Sequence, residues 1–294
     1  MSNLPEVRRG RLKRILEEKK FVRAMGASNG LMGLIVENVQ MQGKEYDAMW
    51  ISSLCDSALK GKPDNEVVDF TDRLHVINEI MEVTTKPLIV DGDTGGLAEH
   101  LVSHVKTLER IGVSAVVIED KKGLKQNSLL GQNVQHILED KDIFAEKIRL
   151  AKKAASTTDF MIFARIESFI ANRDLEDAYA RAEAYVKAGA DGIMIHSYKS
   201  DGKEIIAFLK KFKATYPNVP TMVIPTAYSE FTEGQLKDLG ADIVIYANHL
   251  LRSAYPMMLK TAEKILQDEC CHAASEQYCM SMKEILEVID ERND

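Results

Sequence analysis

Long apolar runs are missing from this chain of 294 residues: no stretch approaches the roughly 20 apolar residues that a bilayer-spanning helix needs. A basic surplus is missing too. The formal net charge is −7, which argues against the positive surface that recruits nucleic-acid phosphates. Cysteine is scarce. Cys55, Cys270, Cys271 and Cys279 form neither a C-x-x-C pair nor a histidine-containing zinc pattern, so reduced thiols are expected. The N-terminal segment carries Arg8, Arg9, Arg11, Lys13 and Arg14 without the apolar core of a signal peptide, and a cytoplasmic location is the expectation. Internal repeats, low-complexity tracts and linkers are absent, so residues 1–294 read as one domain.

What the chain does have is alternation. Short apolar runs at 21–25, 46–51, 87–90, 115–118, 160–164, 192–195, 221–224 and 243–246 read as strands, many of them rich in β-branched and aromatic residues. Helical patterns lie between them, for example at 99–111, 174–188, 203–216 and 232–239, with Gly112, Gly189 and Gly240 placed as left-handed C-terminal residues. Eight such units predict a (β/α)8 TIM-type barrel, whose strands are buried on both faces and so look continuously apolar. The competing doubly wound sheet wants Gly-x-Gly-x-x-Gly after its first strand, where Gly26-Ala27-Ser28-Asn29-Gly30 stands instead. Residues 249–294 exceed the eight units and form a C-terminal helical extension. It comprises a long helix at 249–267, a Cys- and Ser-containing connection, and a helix at 281–291 opened by the capping box Ser281-Met282-Lys283-Glu284. Its apolar stripe packs either on its own barrel or on a neighbouring subunit.

Barrel enzymes place their chemistry at the C-terminal ends of the strands, so the polar residues directly after the apolar runs are the candidates. Asp91 and Asp93 follow Ile89-Val90, and Glu119 follows Val116-Val117-Ile118, an apolar context costly for an unpaired charge. Spaced two apart on a strand end, Asp91 and Asp93 would point the same way, and an all-oxygen set suits a hard ion such as Mg²⁺. The competing role for Asp91-Gly92-Asp93-Thr94-Gly95 is turn formation and capping. Arg165 could hold a carboxylate or phosphate bidentately, or simply pair with Glu167. His196 is either functional or a hydrogen-bonded structural histidine. The polar stretch 123–131, with Lys125, Asn127 and Ser128, is either a solvated loop or a lid that excludes water. Trp50, the sole tryptophan, either packs in the core or walls a pocket beside Ser52. Asp64 reads as a helix N-cap.

With these motifs in place, the chain resembles the phosphoenolpyruvate mutases of the phosphoenolpyruvate mutase/isocitrate lyase superfamily over nearly its whole length. The resemblance is carried by Asn29-Gly30-Leu31, Trp50-x-Ser52, Asp64-Asn65-Glu66, Asp91-x-Asp93-Thr94-Gly95, Glu119-Asp120-Lys121-x-x-x-Lys125-x-Asn127-Ser128, Ala164-Arg165-x-Glu167, His196-Ser197, Pro225-Thr226-x-Tyr228 and Ala247-Asn248-His249. It implies interconversion of phosphoenolpyruvate and 3-phosphonopyruvate, the C–P bond-forming step of phosphonate biosynthesis. It further implies Mg²⁺, with Mn²⁺ as a substitute, held by Asp91, Asp93 and Glu119 in part through waters. Trp50, Ser52 and the backbone N–H groups of Ser53 and Leu54 would seat the pyruvyl unit, with Arg165 on its carboxylate or phosphoryl group. Lys125, Asn127, Ser128, Arg165 and His196 would surround the phosphoryl group, and Asp64 is cast as a candidate phosphoryl acceptor. A homodimer or homotetramer that exchanges its eighth helix is implied, as is a partner enzyme that consumes phosphonopyruvate; nucleic-acid and membrane partners are not.

Two patterns bear on the alternatives. The Lys-x-Cys-Gly-His loop of the isocitrate and methylisocitrate lyases is absent, which speaks against carbon–carbon cleavage by a thiolate. Phosphonopyruvate hydrolases resemble the chain at most positions but carry Thr where this loop has Asn127. The sequence also departs from the family with Gly96-Leu97-Ala98 after Asp93-Thr94-Gly95. A phosphonopyruvate hydrolase or another Mg-dependent α-keto-acid lyase or hydrolase stays open, and more remotely a catalytically silent binding barrel.

Overall fold

A computed structural model describes residues 4–123 and 125–290. Leu124 of the expected lid, residues 1–3 and 291–294 of the expected domain, and Glu291 of the last expected helix lie outside the described residues. Eight parallel strands close into a barrel: β1 (Val22–Gly26), β2 (Ala48–Ile51), β3 (Leu88–Asp91), β4 (Ala115–Glu119), β5 (Met161–Ile166), β6 (Gly192–Ile195), β7 (Thr221–Val223) and β8 (Ile243–Tyr246). Each expected apolar run becomes one of these strands. The seam is β1 on β8, in register from Val22↔Ile243 to Met25↔Tyr246. Gly26 sits at that seam because a Cβ there would lie 2.0 Å from the Ala247 carbonyl oxygen.

Helices follow most strands. They are α3 (Gly30–Asn38), α4 (Ser53–Leu59), α5 (Phe70–Val83), α6 (Ala98–Ile111), α7 (Lys141–Ala154), α8 (Leu175–Lys187), α9 (Lys203–Thr215) and α10 (Glu233–Asp238). Gly112, Gly189 and Gly240 have φ of 99, 103 and 104°, the left-handed conformation expected of them. Two N-terminal helices, α1 (Pro5–Arg9) and α2 (Arg11–Lys19), were not anticipated in so charged a segment. Leu12 of α2 joins the barrel's interior cluster, with Ile15 and Leu16 packed against it, so the charges of α2 are the outer face of an amphipathic helix, while Arg8 of α1 is buried and donates to the Met81 carbonyl.

Side chains alternate along a strand, so every second residue faces the barrel interior. Trp50, Ile89, Val117, Phe163 and Met194 all belong to the interior cluster. Two residues beyond each, in order, stand Ser52, Asp91, Glu119, Arg165 and His196. The next interior position on five strands is thus polar, and the apolar layer beneath forms a dry floor. Glu119 and Arg165 are direct register partners on β4 and β5.

The chain divides into two compact units, one ending at Ala247 and the other beginning at Asn248. The second holds α11 (His249–Asp268), α12 (His272–Tyr278) and α13 (Met282–Val288). The Ser281 capping box is present, its hydroxyl accepting from the Glu284 N–H while the Glu284 carboxylate accepts from the Ser281 N–H. Helix α12 occupies what reads in sequence as an irregular connection. Among the described residues no helix is long and apolar enough to cross a membrane. The four cysteines are free, with Cys55 buried and the other three exposed.

Candidate active site

The strand ends carry a dense charge network. Asp91 closes β3, and its Oδ2 accepts from the Ser53 hydroxyl at 2.9 Å and the Ser53 N–H at 3.4 Å. Asp93 lies past the strand with φ 53°, so the simple alternation that would aim both carboxylates together does not apply. A left-handed turn brings them close instead, the Asp93 N–H donating to Asp91 Oδ1 at 3.2 Å. Burial alone would raise the Asp91 carboxyl, but Lys125, Arg165, Arg73 and the Ser53 hydrogen bond together bring it down to about 2.

Glu119 ends β4 with 1 % exposure, 3.3 Å from Arg165 Nη2 and 3.6 Å from Lys121 Nζ. Burial outweighs those cations and pushes its carboxyl up to about 7. Glu167 is the hub beside it. Its Oε1 accepts from Arg165 Nε at 2.5 Å and lies 3.0 Å from His196 Nδ1. Its Oε2 accepts from the Ser128 hydroxyl at 2.6 Å and pairs with Lys121 at 3.1 Å. Arg165, Lys121 and His196 overcome burial and hold Glu167 well below the usual carboxylate range. Burial and the neighbouring Arg165 lower His196, so its ring is neutral at pH 7. The Arg165–Glu167 ion pair foreseen as a competing role is real, yet Arg165 Nη2 also reaches Ser128 Oγ and His196 Nδ1, each at 2.9 Å.

The loop over the site closes onto it. Lys125 Nζ contacts Asp93 Oδ1 at 2.5 Å, Asp64 Oδ1 at 2.9 Å and Ser53 Oγ at 2.6 Å. Asn127 donates from Nδ2 to Asp64 Oδ2 at 2.6 Å, while its Oδ1 caps the short 3₁₀ turn Ser128–Asn133 through the Leu129 N–H. Lys121 grips the loop's base, donating to the Gln126 carbonyl at 2.9 Å and the Ser128 hydroxyl at 2.6 Å. Lys125 is 4 % exposed and held against the site by these contacts, while Lys122, Gly123 and Gln126 stay exposed.

Asp64 corrects the capping expectation. The N-cap of α5 is Asp69, whose side chain accepts from the Asp72 N–H, and Asp64 is left free to receive the lid. Ser52 caps α4, with its hydroxyl accepting from the Cys55 N–H, and Ser53 and Leu54 begin that helix. Trp50, 1 % exposed, lies in the interior floor.

Three further residues hold the network together, and of these Arg73 alone lies outside every motif read in the sequence. Arg73, buried on α5, donates to Asp56, Asp93 and the Ile51 carbonyl. Glu66, at φ 65°, accepts from the Thr94 N–H at 2.9 Å and its hydroxyl at 2.5 Å, tying the Asp64 loop to the turn after β3. Asp120 is fully buried and receives Arg181 at 3.1 Å, the Tyr185 hydroxyl at 2.7 Å and the Glu167 N–H at 2.9 Å.

The donor set suits a hard cation. Six carboxylates with buried side chains (Asp56, Asp64, Asp91, Asp93, Glu119, Glu167) share this end of the barrel with four buried cations, Arg73, Lys121, Lys125 and Arg165. Glu119 Oε1 is buried without a hydrogen-bond donor, 3.6 Å from Lys121 Nζ, as an oxygen available to a metal or its waters would be, whereas Asp93 Oδ1 is paired with the Lys125 ammonium. Among the described residues no group of three or more acidic, histidine or cysteine side chains encloses a metal by itself. With Lys125 seated against Asp93, Mg²⁺ would be held through few direct contacts, supplemented by water, as it commonly is.

Comparison with known proteins finds relatives over most of the chain. The family model described as phosphoenolpyruvate phosphomutase matches residues 12–266. A phosphoenolpyruvate phosphomutase of Tetrahymena pyriformis is 36% identical over 259 residues, covering 88% of this chain and 83% of that one. The crystal structure of a phosphoenolpyruvate phosphomutase from Streptomyces platensis subsp. rosaceus superposes with a TM-score of 0.88 at 32% identity, covering 95% of this chain and 93% of the other. A phosphonopyruvate hydrolase in complex with oxalate and Mg²⁺ superposes with a TM-score of 0.85 at 31% identity, covering 100% and 96%.

Proposed function

The chain belongs to the phosphoenolpyruvate phosphomutase family, and from that premise we propose that it interconverts phosphoenolpyruvate and 3-phosphonopyruvate, acting as an isomerase that moves a phosphoryl group between oxygen and carbon. The observation that carries the reading is that Lys125 and Asn127, on a loop we read as a lid, are bound to Asp64 at the strand ends that carry Ser52, Asp91, Glu119, Arg165 and His196.

Phosphoryl transfer commonly passes through a loose, metaphosphate-like state, so positioning and charge stabilisation matter more than covalent chemistry. Ser52 and the first-turn N–H groups of Ser53 and Leu54 hold the pyruvyl unit over the Trp50 floor. Arg165, steadied by Glu167, binds the carboxylate or phosphoryl group as a planar fork. Lys125, Asn127, Ser128 and His196 surround the phosphoryl group, and neutral His196 adds no charge that would compete with Arg165. Asn127 occupies the space an attacking water would need. Asp64 holds the lid residues and stands where it could also accept a phosphoryl group. Mg²⁺, with Mn²⁺ as substitute, supplies charge neutralisation on the oxygens of the reacting anion, with Asp91, Asp93 and Glu119 as its carboxylates.

The similarity to a phosphonopyruvate hydrolase over the full chain favours hydrolysis as the second reading. ³¹P NMR of purified protein with phosphonopyruvate and Mg²⁺ separates them: phosphoenolpyruvate appears from a mutase, inorganic phosphate from a hydrolase. Release of phosphate alone would overturn the isomerase reading.

The remaining expectations are a cytoplasmic, single-barrel enzyme whose 249–294 extension makes a homodimer or homotetramer by exchanging its eighth helix. Exposed apolar side chains on each unit support association: Leu31, Ile35 and Met41 on the barrel, and Met258, Leu266 and Leu286 on the extension. An enzyme consuming phosphonopyruvate would draw the reaction forward.

A further inference from the structure

Asp93 stands past the end of β3 in a left-handed turn, its carbonyl accepting from the Glu119 N–H at 2.8 Å while its carboxylate is held by side chains. Its Oδ2 receives Arg73 Nη1 at 3.1 Å. The same guanidinium donates from Nε to Asp56 Oδ2 at 3.2 Å and from Nη2 to the Ile51 carbonyl at 3.3 Å. Ile51 immediately precedes Ser52, and Asp56 lies one turn along α4 from it. One buried fork therefore joins the end of β2, the first turns of α4 and the turn after β3, three separate pieces of the site. Arg73 itself is 6 % exposed, and nothing in the proposed phosphoryl transfer uses it.

We propose that Arg73 is a positioning residue that sets the cation affinity of the site by committing Asp93 Oδ2 to the barrel wall and so orienting Oδ1, which only the loop's Lys125 engages, toward the metal or its waters. The inference rests on the hard-cation reading given above. Asp93 Oδ1 is paired with the Lys125 ammonium at 2.5 Å, so its partner comes from the 123–131 loop and not from the barrel wall. With Oδ2 released, the carboxylate could rotate away from the Asp91 side, and an ion demanding near-octahedral geometry tolerates such rotation poorly. A lysine in place of Arg73 keeps the charge but is a single point on a flexible stem, unable to reach three acceptors in a plane. Charge alone therefore does not substitute for the fork.

The test is Mn²⁺ binding to the metal-stripped full chain, read from the free Mn²⁺ EPR signal, for the parent, Arg73→Lys and Asp56→Asn. Partners that orient metal ligands typically carry about 10–100-fold in metal affinity, and Arg73→Lys is expected to raise the Mn²⁺ dissociation constant by that factor. Asp56→Asn keeps the fork on Asp93 but loosens its Nε anchor, so a smaller rise in the same direction is expected. Saturating Mg²⁺ should then restore most of kcat in Arg73→Lys, a recovery that general loss of structure would not show. An unchanged dissociation constant in folded Arg73→Lys overturns the inference, as does a kcat loss that saturating Mg²⁺ leaves in place. If circular dichroism shows Arg73→Lys unfolded, Asp56→Asn decides, and parental affinity there overturns it. A parent that binds no Mn²⁺ overturns the hard-cation reading and this inference together, whereas a parent that binds with unchanged variants overturns this inference alone.

Discussion

Replacing Asn127 probes the lid directly, because its two amide ends do different jobs. Nδ2 donates to the Asp64 carboxylate at 2.6 Å, and Oδ1 caps the turn that follows. Asn127→Ala removes both. A hydrogen bond to a charged group contributes about 1.5–3 kcal/mol and a cap about 1 kcal/mol, so the shut lid should lose about 2.5–4 kcal/mol. At about 1.4 kcal/mol per decade this lowers the shut-to-open ratio by about 10²–10³-fold, the factor also typical of losing one transition-state donor. Asn127→Asp keeps the capping oxygen but turns a carboxylate toward Asp64. It should lose turnover at least as severely, which separates the latch from the cap. Substrate binding should suffer less in both, since Arg165 and the β2 and β3 ends are untouched. Two assays report the outcome: ³¹P NMR of phosphonopyruvate turnover, and trypsin cleavage within the lid, which should accelerate as it opens. Asn127→Thr should raise the ratio of pyruvate plus phosphate to phosphoenolpyruvate, though water must also be oriented for efficient hydrolysis. Parental isomerisation and parental lid protection in both Asn127→Ala and Asn127→Asp would refute the latch.

Chelation with EDTA should abolish turnover, with Mg²⁺ or Mn²⁺ restoring it; full activity in metal-stripped protein would remove the hard-cation reading. His196 has a folded pKa held below its unfolded value near 6.5, so the unfolded chain binds the extra proton first. Its contribution to stability is complete above that value and is lost as pH falls through the folded pKa. Melting temperature should therefore drop more steeply on acidification from pH 7 in the parent than in His196→Gln, and parallel curves would count against a buried neutral ring. Sedimentation equilibrium should find a dimer or tetramer, and a monomer at every concentration would contradict the association expected of the extension.

The eight strands were legible because parallel barrel strands are buried on both faces and advertise themselves as short apolar runs. Asp91, Glu119, Arg165 and His196 were legible for the same reason, each being the first polar interior position after such a run. Arg73 was not: an arginine inside Phe70–Val83 looks like any solvated helical residue until the fold turns it inward. Asp64 was misread as a cap because two aspartates precede α5, and only the tertiary approach of Lys125 and Asn127 tells them apart. The helices α1 and α2 hid behind their charges, since their packing stripe is narrow. What local pattern decides was readable; what a distant segment decides was not.

With Trp50 as its sole tryptophan, the protein carries one built-in optical reporter. The indole lies in the apolar interior two residues before Ser52, so its emission should be blue-shifted and arise from one environment. Every change in that emission then originates at the floor of the site, with no surface indole to dilute it. Lid closure, ion uptake and ligand entry could be timed by stopped flow in the unlabelled chain.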